Sequence, residues 1–214
     1  MMRKPILIMI AAILLTVTAF AGELKTIQLP KPNMSGGKPL MQALKERKST
    51  REFSPKELGT QVLSDLLWAA NGISRPESGF RTAPSAHNAQ EIDIYVALSD
   101  GLYLFDAKAH ELKLIASGDL RGLTGKQPFV KEAAVNLIYV ATLSKLGDPS
   151  GEDAAFYAAT DTGFVSENVY LYCASAGLVT VVRGWMDRPA LGKAMKLRPD
   201  QKLILAQTVG YPKY

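Results

Sequence analysis

The apolar segment 154–178 constrains the fold of this chain more than any other feature. Its large apolar side chains fall on most faces of a helix with 3.6 residues per turn: Phe156, Tyr157, Phe164, Val165, Val169, Tyr170 and Leu171. A helix that is apolar nearly all round has to be covered on both sides. The chain's own sheet is one possible cover and a second copy of the chain is another. We favour the second copy, because a single domain of this size has difficulty burying so long a helix.

Short apolar runs on either side of this helix predict a sheet. Segment 92–98 alternates and is β-branched, and Ser99-Asp100-Gly101 predicts a tight turn into a strand at 102–105. A third short strand is predicted at 111–115. The continuous apolar runs 136–143 and 203–209 predict strands that are buried on both faces.

Two further helices complete an α+β pattern. Segment 40–48 is amphipathic, and Ser54-Pro55-Lys56-Glu57 combines a capping serine with proline at the first helical position. We therefore expect a helix from Ser54 through Ala70, ended by Asn71-Gly72. The fold class that follows is α+β: a central, mostly antiparallel sheet flanked by helices, in one domain over residues 40–214.

The N-terminal residues have the pattern of an export signal. Arg3 and Lys4 precede the apolar run 6–19, and Ala19-Phe20-Ala21 offers small residues to a signal peptidase. We predict a signal peptide over 1–21, cleaved after Ala21, and export to the periplasm or the cell surface. The alternative is an uncleaved anchor, which the shortness of the run disfavours. The proline- and glycine-rich segment 22–39 predicts an irregular leader.

Charge and composition exclude several classes of function. The chain carries a net charge of +5, and the predicted cleavage removes two basic residues and no acidic one, which leaves +3. This mild balance, with no long basic run, argues against nucleic-acid binding. A single cysteine and two histidines make an internal disulfide impossible and a dedicated metal site a poor hypothesis. Cys173 is interpreted as a small buried apolar residue and not as a nucleophile.

Two polar motifs are the candidate binding residues. In Arg47-Lys48-Ser49-Thr50-Arg51, two guanidinium groups flank a hydroxyl at every second position, a set that suits a phosphate monoester. The other interpretation is positive charge at a helix C-terminus. The second motif is Pro84-Ser85-Ala86-His87-Asn88-Ala89-Gln90, in which small residues allow close backbone approach and amides can bind a polar ring edge. Its alternative is a capped loop.

The order of these motifs resembles the nitroreductase family of FMN-dependent oxidoreductases. Two later stretches add to the resemblance: segment 176–184, similar to the family's Gly-Leu segment that runs into a loop over the flavin, and Thr208-Val209-Gly210-Tyr211-Pro212-Lys213, similar to its terminal strand and turn. The resemblance covers residues 40–214. It implies the nitroreductase fold, with the long helix at the interface of a homodimer whose two FMN sites are lined by both chains.

The resemblance also implies roles for individual residues. Arg47, Ser49 and Arg51 would hold the ribityl chain and phosphate, while Pro84, Ser85 and Asn88 would lie at the flavin ring and ribityl chain. A backbone N–H within Val182, Arg183 and Gly184 would face the ring, and Lys213 would reach the phosphate. The implied activity is hydride transfer between a donor, NAD(P)H or an organic substrate, and an acceptor such as a nitroaromatic or quinone. No catalytic side chain is predicted, and the alternative is an exported flavin-binding module or carrier with little turnover.

A finer resemblance lies in the hairpin at 101–106 and the strand that follows it. Gly101-Leu102-Tyr103, with a later His110-Glu111-Leu112, is similar to the branch of the superfamily that includes azoline dehydrogenases, the thiazole- and oxazole-forming enzymes. The hairpin has no evident catalytic group, so the branch's substrate is not carried over. His110 is expected at the surface.

Overall fold

The computed structural model describes residues 26–148 and 150–214. The signal peptide predicted at 1–21 lies outside the described residues. Seven strands form one sheet, and each of its neighbouring pairs is antiparallel. The strands are β1 (Thr26–Gln28), β4 (Ile92–Ala97), β5 (Gly101–Asp106), β6 (Glu111–Ser117), β7 (Val135–Thr142), β8 (Val179–Arg183) and β9 (Gln201–Gly210). A separate two-stranded hairpin joins β2 (Ile73–Arg75) to β3 (Phe80–Arg81).

The strand order β1-β6-β5-β4-β7-β9-β8 puts β7 near the middle of the sheet. All eight residues of β7 are buried, as its continuous apolar sequence predicts. In β4, Ile94 belongs to the apolar core on one face of the sheet and Tyr95 to the core on the other. This alternation follows from the period of two residues in a strand, and it shows that both faces are covered. The predicted sheet, its hairpin and its buried strands are confirmed.

Four α-helices accompany the sheet within the described residues: α1 (Leu40–Glu46), α2 (Thr60–Asn71), α3 (Glu152–Ala176) and α4 (Arg188–Ala194). α2 and α3 pack on one face, where Leu66 and Val169 join the larger core, and α4 covers the other face through Leu191. Four short 3₁₀ helices lie at Ala86–Asn88, Arg121–Thr124, Pro128–Lys131 and Leu143–Leu146. The long helix α3 ends at Gly177, whose φ of 72° is left-handed.

Part of the predicted irregular leader is a strand. Thr26–Gln28 forms β1, which pairs with β6, and the adjacent Leu29 is buried in the core. The prediction for 22–39 is therefore wrong at these residues, because a short edge strand bears too few residues for its alternation to stand out between prolines. Residues 29–39 contain neither helix nor strand.

The predicted start of the second helix at Ser54 is also wrong. α2 begins at Thr60, after the cap residue Gly59. The Ser54 amide donates instead to the Tyr211 carbonyl at 2.9 Å, and Phe53 forms a β-bridge with Pro212. A backbone that pairs with a distant segment cannot also enter a helix, so the capping signal at Ser54 is overridden by this tertiary pairing.

The outward face of α3 exposes two large aromatic side chains in the single chain. Phe156 is 64% exposed and Phe164 is 43% exposed, whereas the inward face of the helix is buried against the sheet. The neighbouring helix α1 exposes Leu40, Met41 and Leu44. The all-round apolar pattern of α3 is thus satisfied on one side only by its own chain. Within the described parts of the chain, no helix combines the length and apolar character needed to cross a membrane.

Candidate functional site

The segment that follows α1 runs along the edge of the sheet beside β8. α1 ends where the Arg47 amide donates to the Ala43 carbonyl, and the chain then becomes extended. Ser49 forms a parallel bridge with Thr180, and the Thr50 amide donates to the Thr180 carbonyl at 2.9 Å. The edge strand therefore fixes the position of the basic motif, which does not remain on a helix C-terminus.

Tyr170 of α3 connects the basic motif to β8. Its hydroxyl lies 2.8 Å from Oγ of Ser49 and accepts the amide of Val182 at 3.0 Å. The guanidinium carbon of Arg47 lies 5.1 Å from the centre of the Tyr170 ring, a cation–π distance. From the sequence, Tyr170 is predicted only as an apolar helix residue. The signal that could have found it is general: a buried tyrosine hydroxyl needs a hydrogen-bond partner.

Three cations at this edge lack an acidic partner. Among the described residues, the side chains of Arg47, Arg51 and Lys213 form no ion pair with a carboxylate. The antiparallel bridge between Phe53 and Pro212 brings the end of β9, and with it Lys213, alongside the basic motif. Cations that share one edge of the sheet without counter-charges among the described residues, with a serine hydroxyl between two of them in sequence, are a donor set that suits a phosphate.

A cavity of about 350 Å³ adjoins this edge on the other side of the extended segment. Lys48 and Thr50, which alternate with the arginines, line it together with Tyr170 and Thr180. Tyr170 is thus shared by the cavity and by the motif. The cavity floor includes Cys173, whose thiol is buried, and burial raises the pKa of this thiol far above its usual range. A thiol that stays protonated is a poor nucleophile, in agreement with the packing role expected for Cys173.

The second motif forms a compact loop over residues 85–90. Oγ of Ser85 accepts the Gln90 amide at 2.9 Å, and the Gln90 side chain donates to Oδ1 of Asn88 at 3.2 Å. His87, Asn88 and Gln90 all have left-handed φ values, near 50°. The Ser85 hydroxyl therefore caps the loop, while Asn88 is exposed at its tip and Pro84 is exposed before it.

The structure does not bring the two motifs together within one chain. The 85–90 loop is tied to α3 by the Ala86 amide, which donates to Oδ2 of Asp161 at 2.8 Å. The basic motif contacts the same helix at Tyr170. Asp161 and Tyr170 are nine residues apart, and a rise of 1.5 Å per residue separates them by about 13.5 Å along the helix axis.

The third group of predicted residues lies on β8, and only part of it is free to face a ligand. The resemblance implies that segment 176–184 runs into a loop, but Val182 and Arg183 still belong to the strand, and the Val182 amide is already bound to Tyr170. In an edge strand, every second amide points away from the sheet. If the alternation continues one residue past the strand, the next outward-facing amide after Val182 is that of Gly184, an exposed residue.

Arg183 points into the protein interior. It is 6% exposed, and its guanidinium group donates to the Thr124 carbonyl, to Oγ1 of Thr124 at 2.9 Å, to Oδ1 of Asn136 at 2.7 Å and to Oγ1 of Thr208 at 3.0 Å. Burial lowers its pKa to about 10. The Arg183 side chain is held in the interior by these hydrogen bonds, so any contact of this residue with a ligand at the edge would come from its backbone.

The hairpin of the finer resemblance contributes no side chain to this edge. His110 lies in the turn between β5 and β6, where Nε2 is 2.7 Å from Oγ of Ser64 and the ring packs edge-on against Phe105. It is half-buried, so the expected surface position is wrong. Its partners are structural residues of α2 and β5.

The fold and this edge define an α+β domain in which phosphate-compatible cations lie along a sheet edge, beside a long helix with exposed apolar residues. The chain belongs to the Nitroreductase family, whose model matches residues 44–211. A candidate nitroreductase of Methanocaldococcus jannaschii is 29% identical over 190 residues, which cover 84% of this chain and 95% of the relative. These matches confirm the family predicted from the motifs and support an oxidoreductase.

Solved structures agree with the assignment. The crystal structure of a candidate nitroreductase from Ralstonia eutropha JMP134 is similar with a TM-score of 0.83 and 45% identity, covering 88% of this chain and 90% of that chain. A candidate nitroreductase in complex with FMN, from Desulfovibrio desulfuricans, has a TM-score of 0.61 and 18% identity, covering 83% and 88% of the two chains. The first is similar in sequence and fold and the second in fold, so the nitroreductase-like fold is confirmed.

Proposed function

We propose that this protein is an FMN-dependent oxidoreductase. The observation that supports it best is the arrangement around Tyr170, which joins Ser49 and Arg47 of the basic motif to the amide of Val182. The three cations of this edge form no ion pair within the described residues, so their charge is available to a phosphate. The FMN complex of a structural neighbour is consistent with the same group.

The residues at this edge suit the phosphate, the ribityl chain and the ring of FMN in turn. Arg47, Arg51 and Lys213 would neutralise the phosphate, and Ser49 would bind the ribityl chain. Gly184, and not Val182, would offer its outward amide to the ring. Such a donor stabilises the negative charge that a flavin gains on reduction. Bound FMN would supply hydride transfer at its ring, and the residues of this chain would position it and shape the surrounding field.

The site that we propose is completed by a second copy of the chain. The loop that carries Ser85 and Asn88 contacts α3 at Asp161, about 13.5 Å along the helix axis from Tyr170, where the basic motif of the same chain contacts it. A partner that packs on the exposed Phe156 and Phe164 would cover the outward face of α3. A homodimer of this kind would give the helix its second apolar surface, and the partner's loop could complete the site.

The substrates are proposed by class only. The donor would be NAD(P)H or an organic molecule, and the acceptor a nitroaromatic or quinone. Export is part of the proposal and rests on the pattern of residues 1–21. An exported enzyme meets little NAD(P)H, which favours an organic donor or a membrane redox carrier. Placement in the azoline dehydrogenase-like branch remains a prediction that rests on the hairpin sequence alone.

The experiment that tests this function is an absorbance spectrum of purified protein 22–214, followed by heat release and chromatography of the cofactor. Release of about one FMN per chain is the expected result. A colourless protein that fails to take up added FMN would contradict the proposal. Turnover with a panel of donors then separates an enzyme from the alternative, a flavin-binding module, because a carrier would stay oxidised with every donor.

A further inference from the structure

Two carboxyl groups meet in the interior beneath the 85–90 loop. Glu91, directly before β4, has an exposed fraction of 0%, and Asp161 in the middle of α3 has an exposed fraction of 2%. Neither carboxyl oxygen of Glu91 receives a hydrogen bond from an N–H or O–H group of the described residues. A buried ionised carboxylate without a donor is costly, and a second carboxyl group beside it increases the cost.

Asp161, in contrast, has a hydrogen-bond donor. Its Oδ2 accepts the Ala86 amide at 2.8 Å, which anchors the 85–90 loop on α3. The Asp161 carboxyl group can also accept a hydrogen bond from the carboxyl group of Glu91 when Glu91 is protonated. Burial, together with the neighbouring charge of Asp161, raises the pKa of Glu91 to about 7. The two residues thus have different roles: Asp161 binds the loop as a hydrogen-bond acceptor, and Glu91 carries a proton.

We propose that Glu91 and Asp161 share one proton, and that this proton holds the 85–90 loop in the position that presents Asn88. Glu91 is a positioning residue in this arrangement, since it acts on the loop through Asp161. Loss of the proton would place two negative charges side by side in the interior. The Ala86 anchor would then loosen, because separation of the carboxylates requires α3 and the loop to move apart.

Other charged groups around the pair do not replace the proton. Lys145, from the 3₁₀ helix after β7, donates to the Gln90 carbonyl at 2.9 Å and lowers the pKa of Glu91 only as a lesser effect. Arg81 of β3 is occupied by the Gln90 side chain at 3.0 Å. Asp93 of β4 accepts from Thr142 at 3.2 Å and adds no positive charge. His87 lies in the loop and packs edge-on against Tyr157 of α3.

The backbone of the loop gives this anchor a mechanical role. Three non-glycine residues, His87, Asn88 and Gln90, have left-handed φ values. Such conformations carry a cost and persist only where surrounding contacts enforce them. The Ala86 anchor is one of these contacts, and the Ser85 cap is another. Weakening the anchor would let the loop relax, and Asn88 at its tip would leave its position.

The first test measures the protein without cofactor. Urea unfolding and amide exchange at Ala86 are followed from pH 5 to pH 8 in the wild type, in Glu91→Gln and in His87→Asn. Glu91→Gln keeps the shape of the side chain and donates an N–H to Asp161 at every pH. His87→Asn removes the imidazole of the same loop, and asparagine tolerates its left-handed backbone.

Protection of the Ala86 amide in the wild type is expected to fall about tenfold between pH 6 and pH 8, after correction for the intrinsic rate. It should stay constant in Glu91→Gln and follow the wild type in His87→Asn. Equal pH profiles in the wild type and Glu91→Gln, or loss of the effect in His87→Asn, would overturn the proposal. If Glu91→Gln does not fold, carboxyl-¹³C glutamate labelling of the wild type must show one glutamate that titrates near pH 7; without it the proposal fails.

The importance of the loop for cofactor binding rests on the proposed function, and the two can be separated. FMN titration at pH 6 and pH 8 should show weaker binding at pH 8 in the wild type and equal binding in Glu91→Gln. A protein that binds no FMN but shows the pH-dependent exchange at Ala86 would refute the function and leave the carboxyl pair intact. Normal FMN binding with pH-independent exchange would refute the pair alone.

Discussion

The phenol oxygen of Tyr170 lies 2.8 Å from Oγ of Ser49, across 121 residues of sequence. The same oxygen accepts the amide of Val182, so a single atom on α3 fixes both the basic motif and the edge strand β8. A hydroxyl can donate one hydrogen bond and accept two, and here it accepts from the amide while it bonds the serine. The geometry of the proposed phosphate end therefore depends on this oxygen.

We expect Tyr170→Phe to weaken FMN binding about tenfold, which corresponds to one lost hydrogen bond of about 1.4 kcal/mol. The ring remains, so the packing of α3 and the cation–π contact with Arg47 should be kept. Flavin fluorescence titration measures the affinity, and urea unfolding checks the fold. Tyr172→Phe is the matched control, since its hydroxyl makes only a long contact of 3.4 Å with the Val62 carbonyl. Equal affinities of the two variants would contradict the role of Tyr170.

Arg47→Ala combined with Arg51→Ala is expected to yield folded protein with little or no bound flavin. Each arginine would contribute a charge-assisted contact of about 1.5–3 kcal/mol to the phosphate. Lys48→Ala serves as the control, because Lys48 lies in the same segment but lines the adjoining cavity. Cofactor content per chain, measured after denaturation, decides the question. Undiminished flavin in the double variant would exclude this phosphate clamp.

Replacement of the buried Arg183 should lower the stability of the protein more than replacement of an exposed arginine does. Arg183→Leu would remove the arginine donor of the buried Thr124 carbonyl and one of the two donors to Oδ1 of Asn136, and we expect a loss of about 3 kcal/mol in the free energy of unfolding. Arg198→Ala is the control, because Arg198 forms an exposed pair with Asp200, and such pairs contribute little. Urea unfolding of both variants measures the difference. If Arg183→Leu lowered the free energy of unfolding by less than Arg198→Ala does, the hydrogen bonds of Arg183 would not be important for stability.

Introduction of charge on the outward face of α3 tests the dimer. Phe164→Glu should shift the protein from dimer to monomer in light scattering, because a carboxylate would have to be buried in the interface. FMN binding should fall with it if the site needs both chains. Leu123→Glu, at a residue that is similarly exposed but far from α3 in sequence, is the comparison. A Phe164→Glu protein that remains dimeric would place the interface elsewhere.

The sequence predicts the elements whose stability comes from their own apolar pattern. β7 and α3 are examples, since every residue of β7 is buried and α3 keeps one continuous inward face. The start of α2 could not be predicted, because the backbone of Ser54 is bound to Tyr211, far along the chain. A local capping signal does not include such a partner.

The candidate site could also be predicted only in part from the sequence. Arg47, Ser49 and Arg51 are identifiable because their spacing alone suggests phosphate, yet their position along β8 is set by the bridge from Ser49 to Thr180. The specific roles of Tyr170 and Asp161 could not be predicted, since they depend on Ser49, which is 121 residues from Tyr170, and on Ala86, which is 75 residues from Asp161. Contacts between segments more than 70 residues apart are not visible in a local pattern.

The strand order has a consequence for how the protein is made. β8 pairs with β9 alone in the sheet, and β9 is the last strand in the chain. β8 precedes β9 during synthesis and has no neighbour in the sheet until residues 201–210 are available. The edge strand β8, with which Ser49 forms its bridge, is therefore added after the rest of the sheet, and such long-range pairing is slow. A nascent chain would complete the proposed flavin site only after residues 201–210 have been made.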